Sequence, residues 1–398
     1  MNVNPLRMVA VFALTICGAF AASAQTGSKD EIRIGQTLPY SGPASGFGAI
    51  GRAEEAFFVK VNAEGGINGR KIKLISRDDA YSPPKTVEQT RQLVEKDEVL
   101  LMFNSLGTAT NSAVQRYLND KKVPQLFVVS GAAKFADPKN FPWTIPGVVA
   151  YETEGGAYAK HILQTKPDGK IAILSQNDEF GRDFVAGFKR ALGNKAVAMI
   201  VAETTYENGE PTINSQVAAL KATGANILLS VTLGKYTSQM IRGVADIGWK
   251  PEVTYVPQSS SSIAFLEPAG LENAVGLVSN VSQKDVNDDQ WTNDEDVKEY
   301  FALMKQFLPS GDPHNVLYSL GYMNGHLLVQ VLKACGDDLS RENIMRQATS
   351  LHKLKLPLLL PGVSISTAPD DYLPIKQLQL RRFNGKNWIG IGNPIEDE

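Results

Sequence analysis

Cysteine and histidine are scarce: two and four residues in a chain of 398. So few cysteines exclude a disulfide-dense scaffold and a multi-cysteine zinc site. His161, His314, His326 and His352 are scattered without a metal-ligand spacing. No charge of one sign dominates either. Forty Lys+Arg against 42 Asp+Glu leave a formal net charge of −2, without the basic surplus of a nucleic-acid binder. Beyond the N-terminal segment no apolar run approaches the roughly 18 residues of a membrane helix. A G-x-S-x-G elbow and an H-E-x-x-H helix are both missing, and nothing else in the chain asks for catalysis. What is present is globular in composition, 43% hydrophobic and 21% charged, which excludes wholesale disorder. A chain this long outgrows a single core, so two or more domains are expected.

The first residues read as a cleavable secretory signal. Met1–Arg7 is short with one positive charge at Arg7, and Met8–Phe20 is apolar apart from Thr15, Cys17 and Gly18. Ala22-Ser23-Ala24 then offers small residues to a signal peptidase, so cleavage is expected after Ala24 and the mature chain is expected in the periplasm. Cys17 follows the bulky Ile16, where a lipoprotein signal wants a small residue, so a lipid anchor is disfavoured. That leaves Cys335 alone in the mature chain, between Ala334 and Gly336, with a packing role.

Strand and helix patterns alternate along most of the chain. Ile32–Gly35, Lys71–Ser76, Val99–Phe103 and Pro124–Val129 read as strands, with helices over 48–62, 83–96 and 108–119 between them. The pattern resumes with strands at 170–175, 196–204, 227–231 and 253–256 and helices at 181–192, 211–223 and 236–247. Apolar strands alternating with helices predict parallel sheets covered on both faces. The break at Asp137–Tyr151, with three prolines, is read as a crossing between domains. Three helices follow in succession, 297–307, 315–333 and 341–350, then proline-punctuated chain and a strand-like 375–383.

One motif is a decoy. Gly46-Phe47-Gly48-Ala49-Ile50-Gly51 is a literal G-x-G-x-x-G before a helix, and the next strand ends in Asp78-Asp79. In a dinucleotide site the first glycine turns the chain directly after the strand. Here Thr37–Ser45 intervene, and export removes the chain from the nicotinamide pool. No cofactor is expected, and the loop is read as a helix N-terminus that holds another anion or dipole. Asp178-Glu179 resembles a carboxylate pair but reads as capping and solvated charge ahead of a helix.

Ordered motifs then carry a resemblance. Ile34-Gly35-Gln36-Thr37-Leu38-Pro39-Tyr40-Ser41-Gly42-Pro43 is similar to the opening of leucine/isoleucine/valine-binding proteins. Val61-Asn62-Ala63-Glu64-Gly65-Gly66-Ile67-Asn68-Gly69, Asp78-Asp79-Ala80-Tyr81-Ser82-Pro83 and Asn177-Asp178-Glu179-Phe180-Gly181 continue it. The chain thus resembles the periplasmic solute-binding components of branched-chain amino acid type ABC importers. The resemblance implies two doubly wound parallel-sheet α/β lobes joined by a three-strand hinge, with ligand held between them. Crossings are expected near 146–151, 277–282 and 362–366. Lobe one would comprise 29–147 with 281–363, and lobe two 148–280 with 364–398. Partners would be a small carboxylate ligand and a membrane permease, and delivery of one ligand per docking event needs only a monomer.

Strand carboxyl ends supply the expected site. The resemblance assigns the ligand carboxylate to Ser105, Leu106, Gly107 and Thr108, where a helix begins, and to Ser130, Gly131, Ala132 and Ala133. Phe47 and Phe180 would wall the cleft, joined by Leu233, Tyr236 and Ser259. Ser259 stands where the family places the carboxylate that clamps the ligand ammonium. Leu106 (Gly107 or Thr108 in a shifted register) and Ala133 stand where it has hydroxyl contacts, Phe180 replaces its cleft tyrosine, and Tyr81 and Ser105 replace a disulfide. An uncompensated buried ammonium costs several kcal/mol. The expected ligand is therefore a carboxylate with an apolar or aromatic body and no obligatory α-amino group. Leucine, isoleucine and valine are the alternative, with Asp178, Glu179 or Glu207 supplying the charge in a different register, as is a ligand-sensing role in place of transport.

Overall fold

The computed structural model describes residues 31–396, so the expected signal lies outside the described residues. Eight strands and α-helices open the described residues: β1 (Glu31–Leu38), α1 (Gly48–Ala63), β2 (Lys71–Asp78), α2 (Pro83–Glu95), β3 (Leu101–Phe103), α3 (Thr108–Asp120), β4 (Gln125–Val128) and β5 (Thr144–Pro146). Their strands form a five-stranded sheet in the order β2-β1-β3-β4-β5, with every pair parallel.

The chain then enters a second lobe. It builds α4 (Tyr151–Thr165), β6 (Ile171–Gln176), α5 (Glu179–Leu192), α6 (Ala196–Met199), β7 (Ile200–Tyr206), α7 (Asn214–Ala222), β8 (Ile227–Val231), α8 (Lys235–Asp246), β9 (Val253–Tyr255), α9 (Ile263–Leu266) and β10 (Val278–Val281). β6 and β8 are buried at every residue, which is why their sequences are near-continuous apolar runs. The strand expected over 196–204 instead opens with the helical turn α6. The chain returns to the first lobe with α10 (Glu295–Phe307), α11 (Val316–Ala334) and α12 (Arg341–Ala348), and both α10 and α11 pack on α1. β11 (Gln377–Phe383) and β12 (Trp388–Glu396) finish the second sheet, ordered β12-β11-β10-β9-β8-β6-β7.

That second sheet is mixed. β10–β11 and β11–β12 are antiparallel, unlike the parallel pairs expected throughout. The cause is local. Asn384 Oδ1 accepts the N–H groups of Lys386 and Asn387, and Gly385 has φ +100°, so a tight turn folds β12 back on β11.

Three connections join the lobes. The first runs from Pro146 to Tyr151, and the second leaves β10 at Val281, with Gln283 bridging Leu359. In the third, Ile365 pairs with Leu354 and the Tyr372 hydroxyl donates to the Pro142 carbonyl at 3.1 Å. Residues 365–372 therefore stay against the first lobe, and we place the third crossing at 373–376 instead of 362–366.

Two glycines set the position of α4, which carries site residues. A Cβ on Gly155 would lie 2.3 Å from the Phe184 carbonyl oxygen, and one on Gly187 2.3 Å from that of Glu152, so α4 and α5 touch backbone to backbone. At Gly156 the nearest atom to a Cβ is 3.8 Å away. Alanine gains about 1 kcal/mol over glycine inside a helix, whereas overpacking costs about 1–3 kcal/mol. Gly156→Ala is expected to raise the melting temperature and Gly187→Ala to lower it. Equal effects from the two would refute the close packing.

Candidate functional site

The carboxyl ends of both sheets face one cavity, which encloses about 970 Å³ of empty space including its open mouth. From the first lobe come Phe47, Tyr81, Leu106, Gly107 and Val129. Helix α11 adds Val316, Leu317, Leu320 and Met323, an apolar stripe at helical spacing. The second lobe contributes Tyr151 and Glu154 from α4, Phe180 from α5, then Leu233, Gln258, Ser259 and Ser261. All three connections border it, through Gly147 and Val148, through Val281–Asp285, and through Ile375 ahead of Arg381 on β11.

Strained loops hold the first-lobe wall. Ala80, Tyr81 and Asn104 have φ near +50° to +58°. Asp79 secures the first two, accepting the Tyr81 N–H at 2.9 Å and the Thr86 hydroxyl at 2.9 Å. Asp78 accepts the N–H groups of Tyr40, Ser41 and Ala80. The Asp78-Asp79 pair is thus loop scaffolding. Asn104 donates to the Phe127 carbonyl at 2.7 Å and accepts from Asn324 of α11. Gly107, with φ +107°, lets the Tyr81 ring approach, since a Cβ there would sit 2.6 Å from the ring.

The G-x-G-x-x-G glycines make room for side chains. A Cβ on Gly46 would meet the Phe265 ring at 2.9 Å, one on Gly48 the Tyr40 ring at 2.7 Å, and one on Gly51 the Tyr40 hydroxyl at 2.2 Å. Phe47 and Phe265 stack across the lobes with centroids 5.0 Å apart.

Of the expected site residues, Phe47, Leu106, Gly107, Phe180, Leu233 and Ser259 line the cavity. The others do not. Ser105 is turned inward, its Oγ accepting the Thr37 N–H at 3.0 Å. Thr108 and Ser130 are buried with their hydroxyls 2.8 Å apart, and the Tyr151 hydroxyl lies 3.4 Å from Thr108. These two hydroxyls bond each other beneath Tyr151 and so do not face the cavity directly. Gly131 accepts the Tyr151 N–H, and a Cβ there would lie 2.2 Å from the Val149 carbonyl oxygen. Buried Ala132 donates to Ser130 Oγ. Ala133 is exposed, and its N–H donates to Asp183 Oδ2 across the lobes at 3.0 Å. Tyr236 stacks on Tyr206, and its hydroxyl accepts the Gly209 N–H and donates to the Glu210 carbonyl. Asp178 caps α5 at the Gly181 N–H, while Glu179 accepts from Ser112 at 2.8 Å and pairs with Lys134 at 3.2 Å. Those last contacts also cross from lobe to lobe.

The charged groups of the cavity escaped the sequence reading. Glu154 is 3% exposed, accepts the Gln258 N–H at 3.0 Å and Asn280 Nδ2 at 2.7 Å, and has its carboxyl pushed up to about 7 by burial. Arg381 pairs with Asp285 at 3.1 Å, donates to Ser261 at 2.5 Å and lies 4.8 Å over the Trp388 ring. Lys284 is held by Asp294 and Asp296 at 2.7 and 2.9 Å. The only advance signal for Glu154 was its spacing in Tyr151-x-x-Glu154-x-x-x-Tyr158, which reads equally as one face of any helix. Among the described residues no group of three or more His, Cys, Asp or Glu could hold a metal ion, and no helix is long and apolar enough to cross a membrane.

Comparison with known proteins agrees with this geometry. Residues 31–386 match a family described as periplasmic binding protein. A Leu/Ile/Val-binding protein homolog of Brucella abortus is 26% identical over 336 residues, covering 83% of this chain and 84% of its own. A branched-chain amino acid ABC transporter structure from Thermus thermophilus, with bound valine, superposes with a TM-score of 0.82 over 92% of this chain and 97% of its own, at 16% identity. An ABC transporter solute-binding protein of R. palustris in complex with benzoate gives 0.77 over 92% and 98%, at 19% identity. Two α/β lobes around one cavity, three connections beside it and a family match over nearly the whole described chain lead to one conclusion: the chain belongs to the periplasmic binding protein family, with the two-lobe type I fold.

Proposed function

We propose that the chain is the periplasmic solute receptor of a branched-chain amino acid type ABC importer. After export it acts as a monomer. It captures one small carboxylate ligand with an apolar or aromatic body, closes its lobes on it and delivers it to the membrane permease. The cavity carries this reading, because both lobes and all three connections border it and most of its lining is apolar. Helix α3 begins at its edge with no side chain capping the first turn. Unpartnered N–H groups at a helix start suit a carboxylate. Phe47, Tyr151 and Phe180 supply aromatic surface for the ligand body. The valine and benzoate of the two structural relatives share that plan, a carboxylate on an apolar body.

One observation favours a second reading, in which leucine, isoleucine or valine is the ligand. Ser259 leaves the clamp position without an acid, yet Glu154 brings a carboxyl to the same wall from α4. Thermal shifts of the ligand-free protein separate the two. A ligand at 100 times its Kd adds about 2.7 kcal/mol of stability. A response to aromatic or aliphatic acids without an α-amino group is expected. A response to branched-chain amino acids alone selects the second reading, and silence to both panels refutes the ligand class.

A further inference from the structure

The hydrogen-bonding groups of the cavity gather beside the connections. Tyr151 reaches Thr108 at the start of α3, and Glu154 sits one turn further along α4. A phenol ring and three helical residues, about 4.5 Å of rise, thus separate the α3 end from Glu154. Both protein donors to Glu154 land on Oε2. Beside it, Ser259 Oγ, Gln283 Oε1 and Arg381 Nε are buried without a partner, and all four residues line the cavity. Buried polar atoms are almost always satisfied, so orphans at one end of a mainly apolar cavity mark what a ligand would bring. Charge sets the sign of that group. Arg381 is neutralised by Asp285, and Lys284 by two aspartates. Glu154 has only neutral donors; the ionisable side chains near it are Tyr151 and Tyr158 of its own helix and Arg381, whose charge Asp285 already balances.

We propose that this end of the cavity is a second polar subsite, where Glu154 Oε1 accepts a hydrogen bond from a hydroxyl or amine at the far end of the ligand's apolar body from its carboxylate. The inference rests on the receptor reading above and narrows its substrate class to bifunctional acids: a carboxylate, an apolar spacer and a terminal donor. An α-amino acid carries its amine two bonds from its carboxylate and cannot serve both ends.

Titration of the exported protein with matched acids tests this. Benzoate is compared with 4-hydroxybenzoate and 4-aminobenzoate, and hexanoate with 6-hydroxyhexanoate and 6-aminohexanoate. At pH 8, above the value of about 7 to which burial pushes the Glu154 carboxyl, a terminal donor in one series should tighten Kd by about 10-fold or more, the range for a hydrogen bond to a charged acceptor. The hydroxyl and amine arms identify the donor. Glu154→Ala should reduce the preference, read as the ratio of derivative to parent Kd within the variant, to within about 2-fold. Glu154→Gln keeps an acceptor for the Gln258 N–H, and thus the fold, and should lose the amine preference and retain part of the hydroxyl preference. Parent acids that bind as tightly as their derivatives, or a preference that survives Glu154→Ala, would overturn the second subsite and leave the receptor reading intact. If neither parents nor derivatives bind, the carboxylate class itself fails and the subsite with it.

Discussion

Arg381→Ala is expected to cost about 3–5 kcal/mol of folding stability, the usual effect of orphaning one partner of a buried ion pair. Arg381 is 4% exposed and Asp285 9%, and their side chains meet at 3.1 Å. The guanidinium also binds Ser261 and covers the Trp388 ring, whose Nε1 donates to the Ser261 carbonyl at 2.9 Å. Truncation therefore leaves a buried carboxylate without a counter-charge and opens space beside an indole. Most of the cost is the stranded charge, because a buried pair is itself nearly neutral against an apolar replacement. Arg381→Met combined with Asp285→Leu should accordingly recover most of what Arg381→Ala loses. Urea unfolding of the three variants measures this. A loss below about 1 kcal/mol for Arg381→Ala would show that water reaches Asp285.

Glu154→Gln should change how stability depends on pH. Burial raises the Glu154 carboxyl from 4.5 to about 7, so the folded protein holds a proton that the unfolded chain has released. Stability is then intact below about pH 4.5, falls as pH rises toward 7, and stays reduced above. The full penalty is on the order of 3 kcal/mol, since the carboxyl rises from 4.5 to about 7 and each pH unit is worth about 1.36 kcal/mol. Glutamine cannot ionise and escapes it. Relative to the parent, the variant should gain about 3 kcal/mol between pH 4.5 and pH 8 in the ligand-free state. Denaturant unfolding at both pH values checks this, and a constant difference would mean that Glu154 is solvated.

The contrast between what was legible and what was not follows from distance along the chain. Strands such as Ile227–Val231 announce themselves because a strand covered on both faces is apolar throughout. The resemblance put Phe47 and Phe180 on the cleft wall, and both line the cavity. Thr108 and Ser130 were expected to face ligand, but their mutual bond and the Tyr151 hydroxyl depend on α4 packing across the first connection. Ser259 marked where the family's acid is missing. It could not show that an acid arrives from Glu154, 105 positions earlier, through the Gln258 N–H. Arg381 looked like one of two arginines on a strand. Only the antiparallel β10–β11 pairing brings it against Asp285 and the cavity.

The central claim is that this cavity takes one acid without an α-amino group. Titration calorimetry of the ligand-free protein, run in parallel with such acids and with leucine, isoleucine and valine, tests it most directly. The account predicts saturable binding of one acid per chain, with the negative heat-capacity change of apolar burial, and no heat from the branched-chain amino acids. Saturation by leucine or valine with silence from the acids would contradict it, and would make Glu154 the clamp for an α-ammonium.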